Sequence, residues 1–139
     1  MNYKIIGKYI KDLNFGIPNS KTFFLLSKDI SNYKINIDIK SNQIKQNIIE
    51  VLTSINLKPT KDDFEKINTK IVYATIVELT DNNLNKNEIE KIVLIEIPSQ
   101  IYNQLRKIFI SLFENSGFKD IKISENIDFK KLYEEKRIQ

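Results

Sequence analysis

The sequence has no histidine, no cysteine and no tryptophan among its 139 residues. Without imidazole or thiol, it lacks the usual general base of neutral pH, the thiolate nucleophile and the softer metal ligands. A disulfide framework is excluded, which suits a reducing compartment. Glycine and proline number three each, and no Gly-rich phosphate loop occurs. No apolar run approaches the ~18 residues that a membrane span needs. The N-terminus, Met1-Asn2-Tyr3-Lys4-Ile5-Ile6, runs straight into strand-like sequence with no small-residue cleavage site. Acid–base work by paired carboxylates remains possible, but aspartate and glutamate are scattered singly among lysines. The chain reads as a soluble, cytoplasmic binding protein, with no catalytic, cofactor or metal residues.

What is present fits one domain over residues 1–139, long enough to bury roughly two-thirds of its unfolded surface. Isoleucine dominates the aliphatic residues. Together with abundant lysine and asparagine, this is the bias of AT-rich coding, so part of the basic character is mutational. Lysine and arginine number 22 against 18 acids, a net charge of +4. A basic chain with tyrosine and phenylalanine on strand faces is what a single-strand nucleic-acid binder could show. Against that reading, the lysines are dispersed among acids and no RNP-like aromatic motif occurs.

Period-two alternation dominates the first half. Tyr3 to Phe15 places Tyr3, Ile5, Tyr9, Leu13 and Phe15 on one face, Ile6 and Ile10 on the other. Tyr33, Ile35, Ile37 and Ile39 alternate with polar residues, as do Ile49, Val51, Thr53, Ile55 and Leu57. The short Ser41-Asn42-Gln43 connection predicts a hairpin between these two strands. A fourth strand, about Lys70 to Leu79, is apolar on both faces and expects cover on both. Lys58 to Thr69 is expected as a charged loop, with one helical turn from Thr60.

From Asn85 the period becomes helical. A short helix precedes Ile97-Pro98, and a main helix is expected from Ser99 as N-cap to Gly117 at a left-handed C′ position. Phe118 is placed to pack back on Phe113. Asp120 to Ser124 is expected to be extended, and a last helix starts near Asp128. Ile101, Leu105, Ile108 and Leu112 form one stripe of the main helix, with Tyr102, Phe109 and Phe113 beside it. This arc exceeds the ~100° that one sheet can cover, which predicts burial by a second subunit. Strands first and helices later give an α+β fold, a four-stranded antiparallel sheet with helices packed on one face.

Three segments carry a family resemblance. Tyr9-Ile10-Lys11-Asp12-Leu13-Asn14-Phe15-Gly16-Ile17-Pro18-Asn19 resembles the Y-x-K-D-(I/L)-S-F-E-x-P-N segment of the SecB family of bacterial protein-export chaperones. Pro98-x-x-Ile101-Tyr102-x-x-x-Arg106 is similar to that family's P-x-x-L-F-P-x-x-R. Ile127-Asp128-Phe129-x-x-Leu132-Tyr133, after Gly117-Phe118, is similar to V-D-F-x-x-L-(Y/F).

The resemblance implies an ATP-independent holdase that binds unfolded preproteins and passes them to the SecA motor. It also implies a homotetramer, with dimers formed through sheet edges and long helices packed between sheets. Expected peptide-groove residues are Phe23, Phe24 and Leu26, from Phe23-Phe24-Leu25-Leu26, shared with Phe129 and Tyr133. Expected oligomer contacts are Tyr102, Leu105, Phe109 and Leu112 on the main helix, with Ala74 and Ile76 on the fourth strand. SecA contacts are expected at Asp12 and Glu78. Gly16 and Thr75 stand where many members of the family carry glutamate, which predicts weakened, salt-sensitive docking of SecA's basic tail. A narrower alternative keeps the fold and makes the client an antitoxin.

Overall fold

The computed structural model describes residues 2–28, 33–62, 64–119, 121 and 123–138. In chain order the elements are β1 (Tyr3–Gly16), α1 (Ser20–Lys28), β2 (Tyr33–Lys45), β3 (Ile48–Pro59) and β4 (Asn68–Leu79). They are followed by α2 (Lys86–Lys91), a π-helical turn (Ile92–Glu96), α3 (Ile97–Asn115) and α4 (Phe129–Ile138). The four strands form one antiparallel sheet in the order β1-β4-β3-β2. This is the α+β arrangement that the alternation predicts.

Alternation sets the faces. On β3, Val51, Thr53, Ile55 and Leu57 point into the helical layer; on β4, Ile71, Tyr73, Thr75, Val77 and Leu79 do the same. Two apolar clusters fill the space between sheet and helices. One joins Ile55, Ile71 and Tyr73 to Ile101, Leu105, Phe109 and Phe113. The other joins Tyr3, Val51, Val77 and Leu79 to Ile92, Val93 and Ile97. Thr53 and Thr75, both fully buried, fall between the two clusters along their strands. Burying a leucine- or phenylalanine-sized side chain contributes about 1.5–3 kcal/mol, so α3 is held chiefly by its inner stripe.

The end of α3 follows the sequence reading. Gly117 has φ +96°, and its N–H donates to the Glu114 carbonyl at 3.2 Å while that of Phe118 donates to Phe113 at 3.1 Å. These two bonds make a Schellman motif. The Phe118 ring lies 5.3 Å from that of Phe113.

Several local expectations differ from the structure. The β2–β3 hairpin turns at Gln46-Asn47, not at Ser41-Asn42-Gln43, because Asn47 takes the left-handed conformation (φ 65°) that asparagine tolerates. α3 has no cap at Ser99. The π turn carries the helix on from α2, and Pro98 sits in the first turn of α3, where the wider turn before it accommodates the ring. The Ser99 hydroxyl instead donates back to the Ile95 carbonyl at 2.5 Å.

The Phe23-Phe24-Leu25-Leu26 run, which its spacing assigns to no element, lies in α1. In the charged loop the Phe64 N–H donates to the Lys61 carbonyl at 3.2 Å, a single turn, and 121, 123 and 124 belong to no helix or strand; 120 and 122 lie outside the described residues. Finally, β1 carries irregularities between Ile5 and Gly7 and between Ile10 and Asp12. Each bulge shifts the register of faces, so Tyr9 opposes Ala74 on the open face while Leu13 opposes Ile71 on the helix side.

Candidate functional site

α1 is short and begins where Pro18 closes the β1 segment. Asn19 caps it: its side-chain oxygen accepts from the Thr22 N–H at 2.9 Å and its carbonyl from the Phe23 N–H at 3.1 Å. Thr22 and Leu26 are buried. Phe23 turns toward Phe118, with ring centroids 4.7 Å apart. Phe24 points away from the core and is 66% exposed. Its ring meets that of Phe23 edge-on, with centroids 5.7 Å apart, and the rest of it is open. An exposed aromatic face of this size, on a helix anchored by its opposite side, is a feature that core packing does not require.

The loop after β3 faces α1. Glu65 ties the two together, because its carboxylate accepts from the Asn19 amide and its carbonyl accepts from the Tyr33 hydroxyl at 2.6 Å. The Tyr33 ring stacks near Phe64, with centroids 6.3 Å apart, and Lys61 lies 5.7 Å above the Phe64 ring. Burial, followed by the nearby Glu65 charge, raises the Tyr33 hydroxyl above its ordinary pKa, so it stays a donor at neutral pH. Between loop and helix lies a cavity of about 770 Å³, lined by Phe24, Leu25 and Phe64 with Lys21, Lys28 and Asp62 at its rim. Its volume is in the range of a ligand site. The walls are mostly apolar, with Thr22, Ser27 and Glu65 among them, and the rim carries both signs.

Of the expected groove residues, Phe23, Phe24 and Leu26 share α1, with Leu26 in the core beneath it. Phe129 and Tyr133 are elsewhere. Phe129 is buried 5.9 Å from the Tyr102 ring, and the Tyr133 hydroxyl donates to Glu90 at 2.9 Å. Tyr102 and Phe113 are about 16 Å apart along α3 at 1.5 Å per residue, and α1 meets the Phe113 end through Phe118. The two aromatic groups therefore form no common wall. Leu25 and Phe64 line the cavity beside Phe24 instead. Phe64, in a loop of mixed charge, gave no periodic signal.

The expected oligomer contacts divide by burial. Tyr102, Leu105, Phe109 and Ala74 are already covered within one chain. Tyr102 lies under Phe129, and its hydroxyl donates to the Ser124 carbonyl at 2.7 Å. Leu112 and Ile76 are half-buried and keep surface for a partner. The wide apolar arc of α3 is thus largely closed by its own chain, through α4, Phe118 and Ile123.

No helix among the described residues lies on the other face of the sheet. Asp12 is exposed there, opposite Val72, and accepts from the Asn14 amide at 3.3 Å. Glu78 lies six positions along β4 from Val72, about 20 Å at ~3.3 Å per residue, and pairs with Lys4 at 3.2 Å. Asp12 and Glu78 share a face but not a site. Thr75 points into the helical layer and is fully buried, so position 75 cannot present a docking carboxylate. Gly16 has nothing within 4 Å of where a Cβ would sit; a side chain would fit there. Among the described residues, no cluster of acids could hold a metal ion and no helix is long and apolar enough to cross a membrane.

The whole chain, residues 1–139, matches the family described as "Preprotein translocase subunit SecB". It is 39% identical over 135 residues to the "Putative protein-export protein SecB" of Pelagibacter ubique, covering 97% of this chain and 96% of that one. It is 28% identical to "Protein-export protein SecB 1" of Gluconobacter oxydans, covering 95% and 80%. It is also 26% identical to the "Protein-export protein SecB" of Anaplasma phagocytophilum, covering 94% and 90%. Among solved structures, the SecB-like chaperone of Mycobacterium tuberculosis, in complex with a ChAD peptide from the HigA1 antitoxin, superposes with a TM-score of 0.62. Its identity is 8%, with 88% of this chain and 90% of that one covered.

Proposed function

The chain belongs to the SecB family, a family of chaperones, and on that premise we propose that it is a cytoplasmic holdase. It binds unfolded preproteins without ATP and delivers them to the SecA motor. The observation that carries the reading is Phe24, the most exposed large apolar residue among those described, standing over the groove between α1 and the β3–β4 loop. A holdase needs apolar surface that stays open in the folded state. The α1 groove supplies it on a support fixed by Asn19, Tyr33 and Glu65.

The assembly proposed is a homotetramer built as a dimer of dimers. β1 is an edge strand of 14 residues with Ile6, Ile10 and Leu13 exposed. A long apolar edge invites pairing with a second copy. Leu112 and Ile76 are the remaining candidates for contact between subunits.

Handover to SecA uses the open sheet face, with Asp12 as its anchor. The test of the holdase reading is Phe24→Ala in an aggregation assay with a denatured client. Suppression falls several-fold while the melting temperature stays within a few degrees of wild type. Full suppression by the variant would refute the groove assignment. Export is preferred over antitoxin guarding because the relatives alike in sequence carry export names, whereas the antitoxin-bound structure is alike in fold alone.

A further inference from the structure

The open sheet face carries charge in an uneven way. Lysines from all four strands lie on it: Lys4 and Lys11, Lys70, Lys58, and Lys34, Lys40 and Lys45. Its carboxylates are Asp12, Asp38, Glu50 and Glu78. These seven lysines and four acids place three of the chain's four excess positive charges on this face. The two signs also differ in height. Every one of the lysines is exposed, whereas Asp38, Glu50 and Glu78 are recessed.

Glu50 and Glu78 form ion pairs within the face. Glu50 accepts from the Tyr9 hydroxyl at 2.5 Å and meets Lys11 at 3.7 Å, and only 13% of its side chain is exposed. Glu78 is held by Lys4. Beside these pairs runs a half-buried apolar band of Leu52 and Val72, with Ala74 beneath it. A depression of about 300 Å³ opens at one side, floored by Leu52 and Val72 and ringed by Lys11, Lys40 and Lys70.

We propose that this face docks an acidic polypeptide segment of a partner protein, whose carboxylates meet the protruding lysines while apolar residues rest on the band. Charge complementarity of this kind sets partner choice and on-rate. A nucleic acid fits less well. Its regularly spaced phosphates would meet Asp12 and Asp38 beside the same depression, and there is no exposed aromatic platform in it for a base.

The proposal does not rest on client capture by α1. It concerns the face that SecA handover would use, where Asp12 alone meets the basic tail, weakly as Gly16 and Thr75 lead one to expect, and the surrounding lysines meet the acidic segment.

The experiment titrates the full chain against a fluorescent peptide of alternating glutamate and valine at low salt. Two comparison probes are the same peptide with lysine for glutamate and a single-stranded oligonucleotide. The acidic peptide binds tightest, and raised salt weakens it. K40E/K70E weakens it about tenfold, because two exposed attractions become repulsions, and K40Q/K70Q weakens it less. Circular dichroism of both variants matches wild type, and Phe24→Ala leaves the affinity unchanged. Tighter binding of the lysine peptide would overturn the inference while leaving SecA handover standing. Tighter binding of the oligonucleotide, no effect of either lysine variant, or loss on Phe24→Ala would overturn it as well.

Discussion

Leu105→Ala tests whether α3 belongs to the core of one chain or to a seam between chains. Leu105 is fully buried among residues of the sheet and of α3 itself. Truncating such a leucine costs about 2–5 kcal/mol, depending on how far the cavity collapses. Unfolding entropy near 60 °C is roughly 2.1 cal/mol/K per residue, so about 0.3 kcal/mol/K for a chain of this length. A loss of about 3 kcal/mol then lowers the melting temperature by about 10 °C. Scanning calorimetry at several protein concentrations reads both the shift and its origin. A residue inside the protomer gives the same shift at every concentration. A residue that stabilises only through association gives a shift that changes with concentration, by mass action. A melting temperature unchanged by the mutation, or a deficit that closes as concentration rises, would refute the placement of α3.

Two further outcomes follow. Asp12→Ala weakens binding of the SecA tail at low salt by about two- to fivefold, the worth of one exposed charge contact; unchanged affinity on titration removes Asp12 from the docking site. The second concerns pH. Burial raises the hydroxyls of Tyr3, Tyr33 and Tyr102, and the bond to Glu50 raises that of Tyr9. These groups hold their protons more tightly folded than unfolded, so their stabilisation is complete below a pH of about 10 and is lost as pH climbs through their folded values. With no histidine in the chain, melting temperature stays nearly level from about pH 6 to 9 and falls above about 10; a drop of many degrees between pH 7 and 9 would contradict this.

The strands were legible because burial on one face writes period two directly into β2, β3 and β4. Gly117 and Phe118 were legible because a left-handed C′ position has few solutions. α1 was not, since four adjacent apolar residues in a nine-residue helix show no period; Pro18 followed by the capping Asn19 was the available signal. Ser99 misled because a π turn lets a helix pass through Pro98, and no propensity scale records that event. β1 was misassigned to faces because its two bulges each reverse the alternation, which only the partner strand reveals. The same reasoning explains the site. Phe24 was found as an apolar residue without a place, but its companion Phe64 lies in a loop, where spacing carries no information. Phe129 and Tyr133 were grouped with it on resemblance, and the length of α3 separates them.

The most direct test of the account places a photo-crosslinking amino acid at position 24, and separately at Ile76 on the opposite face of the sheet. Each protein is then irradiated with a denatured preprotein. The account predicts that client is captured from position 24, that native client is not, and that position 76 yields little. Equal capture from both positions, or capture from position 76 alone, would contradict it.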